Sequence, residues 1–227
     1  MESTAARAAR QELDNLVVNI ELTLISIIQG IALSFLIGTS YPLVVGLELR
    51  CWPFIATGLL IILLFWARAI IHTLTVIRWP LRLGHNFLYI GSTAVESLMF
   101  TQMGDPVWWH ALGTLYAALI WLLFAVDLRM MRQVARMHPH PGGAELFRIL
   151  EQDQLMNARK SMPLTTVGMA AITLWFASSA ATRSARVPCV IAGVLQLAGA
   201  AAYLSYVVRF LERIAPLVLR SREELQA

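Results

Sequence analysis

Ionisable side chains recur inside stretches of this chain that are otherwise apolar. On one stretch Arg68, His72 and Thr75 follow at i, i+4 and i+7, a spacing that places them on one face of a helix. On the next, His85, Tyr89, Ser92 and Glu96 follow at i, i+4, i+7 and i+11, again one face. A charge at bilayer depth costs about 2.5–3.5 kcal/mol on the insertion scale, so such groups face protein or water and not lipid. Two polar stripes on consecutive helices therefore predict that each is buried against the other. Arg68 and Glu96 are expected to form an ion pair across roughly one helical turn of vertical offset.

Two kinds of work suit such a cluster. It can lock two helices together through interhelical hydrogen bonds. It can also line a wet path or proton relay through Arg68, His72, His85 and Glu96, because histidine is the side chain that changes charge near neutral pH. Glu21 and Asp127 are secondary buried acids near the ends of their apolar stretches. They are expected to reach headgroups or flanking arginines, Arg129 or Arg132 in the case of Asp127.

Other chemistry has no pattern to support it. H-E-x-x-H, G-x-S-x-G, P-loop and C-x-x-C motifs are all missing from the sequence. His72, His85 and Glu96 are acceptable zinc ligand types, but their spacing matches no metal motif. No two histidines fall at matched mid-membrane depth on separate stretches, which disfavours haem. His110 starts an apolar stretch on the opposite side, and His138 and His140 lie in a loop. No cofactor and no metal are expected.

The elements that must position these residues follow from composition. Of 227 residues 58% are hydrophobic and only 14% charged, where soluble domains run near half and a quarter. Six apolar stretches, at 16–37, 52–77, 86–103, 107–131, 163–182 and 187–210, approach or exceed the roughly 17–25 residues that cross a hydrocarbon core. The expected fold is an all-α, polytopic helical bundle of about six transmembrane helices. Its parts would be an N-terminal arm over 1–15, helices one to four over 16–135, a loop over 136–162, helices five and six over 163–212, and a tail over 213–227. Breaks are expected at Gly38, Ser40 and Pro42, at Pro80 and Gly84, and at the turn Gly104-Asp105-Pro106.

Lysine and arginine set the orientation. The arm, the second and fourth loops and the tail hold fourteen of them, the first, third and fifth loops three, and Arg68 lies inside a stretch. The positive-inside rule then places both termini in the cytoplasm. The same clustering beside apolar segments accounts for the net charge of +4 and argues against nucleic acid as a partner. Arginine outnumbers lysine 17 to 1, a usage associated with bacteria, so the plasma (inner) membrane of a bacterium is the expected location. The first 15 residues are polar and no signal-peptide cleavage site is evident. Cys51 and Cys189 both fall at expected outer helix ends, which leaves a disulfide and two unrelated buried thiols both open.

Two further features concern packing. Asn19, Thr23, Ser26, Gly30, Ser34 and Gly38 form a small-residue stripe that suits close helix contact, within the bundle or between subunits. In the 136–162 loop a breaker cluster, HPHPGG, precedes an amphipathic helix with Leu146, Phe147, Ile149 and Leu150 on one side, expected to lie at the cytoplasmic interface or to dock a partner. The function expected from these features is a small channel or carrier that assembles as a homo-oligomer, with its substrate open. Alternatives are a membrane-embedded enzyme using Glu96 with His72 or His85, and a non-catalytic membrane effector or scaffold.

Overall fold

The computed structural model describes residues 4–75, 83–137, 141–178 and 186–226. These residues form seven helices and, among them, no strand: α1 (Thr4–Val45), α2 (Trp52–Thr75), α3 (Leu83–Phe100), α4 (Pro106–Met137), α5 (Pro141–Met156), α6 (Met162–Ala177) and α7 (Arg186–Gln226). Four helical stretches are long and apolar enough to cross a bilayer: Glu12–Val45, Leu49–Thr75, Pro106–Gln133 and Arg186–Arg220. Large apolar side chains such as Ile37, Leu164, Leu174 and Ile191 stand exposed around the outside. That arrangement suits lipid and would be costly in water.

Several boundaries differ from expectation for identifiable reasons. α1 does not stop at Gly38, Ser40 and Pro42. Thr39 Oγ1 donates back to the Phe35 carbonyl (2.7 Å) and Ser40 Oγ to that of Ile37 (3.2 Å), so these hydroxyls are satisfied without leaving the helix. The helix ends where Glu48 N donates to the Leu43 carbonyl and Gly46 N to that of Pro42, both at 2.9 Å. Leu47 sits there at φ 52°, a left-handed closing turn. The turn before α4 does fall at Gly104-Asp105-Pro106. Asp105 Oδ1 accepts from Val107 N (2.9 Å) and Trp108 N (3.3 Å), and proline occupies the first helical position, where its missing N–H costs nothing.

The largest difference concerns the expected loop helix and fifth span. Pro141 opens α5, and α5 runs into α6 through a single π turn, Asn157–Ser161. Pro163 sits just after this turn, where widened hydrogen bonding tolerates a residue that cannot donate. The apolar side of α5 is not left for an interface to cover. Leu146, Ile149 and Leu150 are buried with Ile71 of α2, Met131 of α4 and Phe210 of α7. His138, His140 and the stretches 76–82 and 179–185 lie outside the described residues.

The helices close around a central space. α4 packs on α3 and α6, α3 on α1, α1 on α2, and α2 on α7, while α5 bridges α4 and α7 at one end. α2 and α3, expected to pack along each other, keep their backbones apart among the described residues and meet through side chains, His72 with His85 and Phe65 with Tyr89. α6 and α7 likewise make little direct contact among the described residues. The small-residue stripe of α1 faces outward: Asn19, Thr23, Ser26, Gly30, Ser34 and Gly38 are all exposed. Its hydroxyls at Thr23, Ser26 and Ser34 bond to carbonyls of their own helix. Cys51 and Cys189 are both buried and both free thiols.

Candidate functional site

Arg68 lies in the last two turns of α2, with its side chain turned toward α5. Its Nη2 donates to Asp153 Oδ2 at 2.7 Å and to Gln154 Oε1 at 3.3 Å. The guanidinium sits 4.9 Å from the Phe124 ring centroid. Asp153 is held from the other side by Tyr206 Oη (2.5 Å) and Asn157 Nδ2 (3.2 Å), and Asn157 Oδ1 accepts from Tyr203 Oη (2.9 Å). The expected Arg68–Glu96 pair is therefore not formed. Asp153 takes the place of Glu96, and it comes from the segment that the sequence reading assigned to a cytoplasmic loop.

One turn beyond Arg68, His72 meets the start of α3. His85 Nε2 is 2.8 Å from Asp127 Oδ1, and His72 Nε2 is 3.5 Å from the same oxygen. The two imidazole centroids are 5.0 Å apart. Tyr89 packs edge-on against His85 with centroids 4.4 Å apart, and against Phe65 at 5.3 Å. All three of His72, His85 and Asp127 are buried. His72 makes no hydrogen bond through either ring nitrogen. Asp127 thus finds histidines and not the expected arginines, and Arg132 instead pairs with Glu151 (2.7 Å). Glu21 of α1, also buried, faces Asn86 and His85.

The polar stripe of α3 divides. His85 and Tyr89 join the histidine–aspartate cluster. Ser92 bonds back to the Tyr89 carbonyl (2.9 Å) and reaches no neighbouring helix. Glu96 lies eleven residues, or about 16 Å of helix rise, from His85. It is fully buried, with neither carboxyl oxygen hydrogen-bonded, in a compartment shared with Gln29 of α1 and Tyr116 of α4. Thr75 likewise bonds within its own helix (2.6 Å).

Between α2, α4, α6 and α7 lies a cavity of about 440 Å³. Its wall runs from Thr57 to Thr75 on α2 and from Gly113 to Met131 on α4, about 27 Å of helix on each. Most of the wall is apolar. Arg68, His72, Asp127, Asp153 and Gln154 gather at one end, with α5 as the floor, while Gln196 and Thr57 lie farther along. Gln196 also accepts from Trp109 Nε1 (2.9 Å).

Sequence reasoning does not single out two polar residues of this network, Asp153 and Asn157, and places Gln196 only as part of a small-residue packing face. The first two carried a signal. Leu146, Ile149, Leu150, Asp153 and Asn157 follow the 3–4 residue spacing of one helical face, so two polar groups continue the apolar stripe of α5 into the bundle.

The chain matches no protein-family model, no curated protein and no solved structure with which it was compared.

Proposed function

We propose that this protein is a small carrier of the bacterial inner membrane. Its six helical spans would place both termini in the cytoplasm, with α3 and α6 added to the four long apolar helices α1, α2, α4 and α7. The cavity carries this reading. It follows about 27 Å of α2 and α4, is mostly apolar, and concentrates its ionisable groups beside a floor made by α5. A continuous pore would need both ends open, whereas a floor held by Arg68–Asp153 suits a carrier that opens by moving α5.

A homo-oligomer belongs to the same reading. α1 turns its small-residue face outward, and in a bilayer such faces are favoured helix–helix contacts because backbones approach closely. The buried face of α5, Leu146, Ile149 and Leu150, gives the 136–162 segment an internal role in closing the cavity, beside the cytoplasmic partner first expected there.

Liposome flux tests the proposal. Gly113 lines the cavity, and its nearest neighbours are the flexible ends of Met169 and Met99, so Gly113→Trp fills the space. Flux across a panel of ions and small solutes should exceed that of empty liposomes for wild type and fall to background for Gly113→Trp. Equal background flux in both would remove the carrier. The His85–Asp127 contact at 2.8 Å favours a second reading, a membrane-embedded enzyme whose acid–base pair reaches the cavity through Asp127. In that case turnover of a membrane-soluble substrate would be lost in His85→Gln with no solute flux in either protein.

A further inference from the structure

We propose that His72, His85 and Asp127 form a binding site for one divalent transition-metal ion of the zinc class. Each residue comes from a different helix, α2, α3 and α4, and each offers one ligand atom. These atoms lie within 4.8 Å of one another. A tetrahedral ion with bonds near 2.0–2.1 Å holds its ligands about 3.3 Å apart. Two contacts already bracket that value: His85 Nε2 to Asp127 Oδ1 at 2.8 Å and His72 Nε2 to the same oxygen at 3.5 Å. Small side-chain rotations complete the set.

Three observations separate this cluster from an ordinary polar network. His72 is 95% buried, lines the cavity and leaves both ring nitrogens without a hydrogen bond. A buried donor–acceptor group left unpaired is costly, and a metal bond would satisfy one of its two nitrogens. The ligand chemistry is also selective: two imidazoles and one carboxylate suit zinc, cobalt, nickel or iron(II), and do not suit calcium or magnesium, which prefer all-oxygen shells. Finally, the surroundings resemble an outer shell. Glu21 faces His85, and a carboxylate is the kind of group to which metal-ligating histidines commonly donate their other ring N–H; Tyr89 packs edge-on against the same ring. On binding, the ion replaces the proton shared between His85 and Asp127. A fourth position remains toward the cavity, as in sites that act on a substrate. The inference stands whether or not the cavity carries a transported solute.

The probe is Zn²⁺ alone, followed by Co²⁺ for its spectrum. The protein is purified in detergent without a polyhistidine tag, in a His138→Gln/His140→Gln background that removes the loop histidines. About one Zn²⁺ per chain should survive desalting, and Co²⁺ should give visible d–d bands of four- or five-coordinate intensity. His72→Gln, His85→Gln and Asp127→Asn should each weaken binding by more than about a hundredfold, and Glu21→Gln by about 10–100-fold. Glu96→Gln and His110→Gln should change nothing. Should the His85 or Asp127 variants fail to fold, His72 still decides, because it makes no hydrogen bond that the fold needs. His72→Cys should retain the ion and add a sulfur-to-cobalt charge-transfer band. Less than a tenth of an equivalent in the parent protein, or the same stoichiometry in His72→Gln, overturns the proposal.

Discussion

Breaking the Arg68–Asp153 pair should loosen α5 from the bundle, and the size of the effect follows from burial. The Asp153 side chain is 3% exposed and that of Arg68 14%, so removing either partner strands a charge away from water. Such removals cost about 3–5 kcal/mol. Each stranded group keeps some help here: Asp153 retains Tyr206 and Asn157, and Arg68 retains Gln154 and the Phe124 ring. The lower end, about 3 kcal/mol or roughly a hundredfold in the folding equilibrium, is therefore expected for Arg68→Met and for Asp153→Asn. Arg68→Met/Asp153→Leu, which replaces the pair by apolar side chains, should cost far less than the sum, leaving a coupling energy of at least about 2 kcal/mol. Reversible SDS titration measures these values. The fluorescence of Trp121, whose Nε1 donates to the Ala158 carbonyl at 2.7 Å, reports on the π turn directly. Arg68→Met combined with Glu96→Gln should be additive to within about 0.5 kcal/mol. Additivity at Asp153 together with coupling at Glu96 would refute the pairing described here and restore the one expected from helix periodicity.

Other substitutions test separate parts of the structure. Tyr206→Phe removes one donor from the Asp153 carboxylate and should cost about 1.5–3 kcal/mol in the same titration. Gly58→Ala would set a Cβ 2.8 Å from Leu36 Cδ1 and 3.0 Å from Phe100 Cε1. The rigid ring makes a loss of about 1–3 kcal/mol the expected outcome; no loss would mean that α1, α2 and α3 do not meet there. A Cβ at Gly30 meets nothing within 4 Å, so Gly30→Leu should leave the single chain's stability unchanged and dissociate the oligomer on native electrophoresis. Retention of the oligomer would remove α1 as the subunit contact. Reporter fusions at residue 140 should be active in the cytoplasm, and a periplasmic signal would invert the proposed orientation.

The four long apolar helices of this chain were legible because hydropathy is a local sum. Long apolar stretches must bury or meet lipid whatever surrounds them, and the start of α2 at Trp52-Pro53 and the Asp105 turn follow from local proline and capping chemistry. Ends that depended on context were not legible. Nothing in Gly38–Pro42 requires a helix to stop once hydroxyls can bond to their own carbonyls, and nothing at Pro163 announces a π turn. Within the site, periodicity correctly grouped His85 with Tyr89 and placed His72 one turn from Arg68, because residues four apart share a face in any helix.

What periodicity lacks is direction around the bundle. A stripe states that a face is polar and leaves open which helix will cover it. α2 and α3 do meet, through His72 with His85 and Phe65 with Tyr89, but Arg68 turns away to α5 and Glu96 lies with Gln29 of α1 and Tyr116 of α4. Asp153 reaches Arg68 across 85 residues of chain only because α5 folds back under α4 and α7. Sequence order therefore carries the solvent preference of each segment and the faces of each helix. The choice of partners belongs to the three-dimensional packing, since it depends on which apolar surfaces fit together over the whole bundle, a property that no single segment contains.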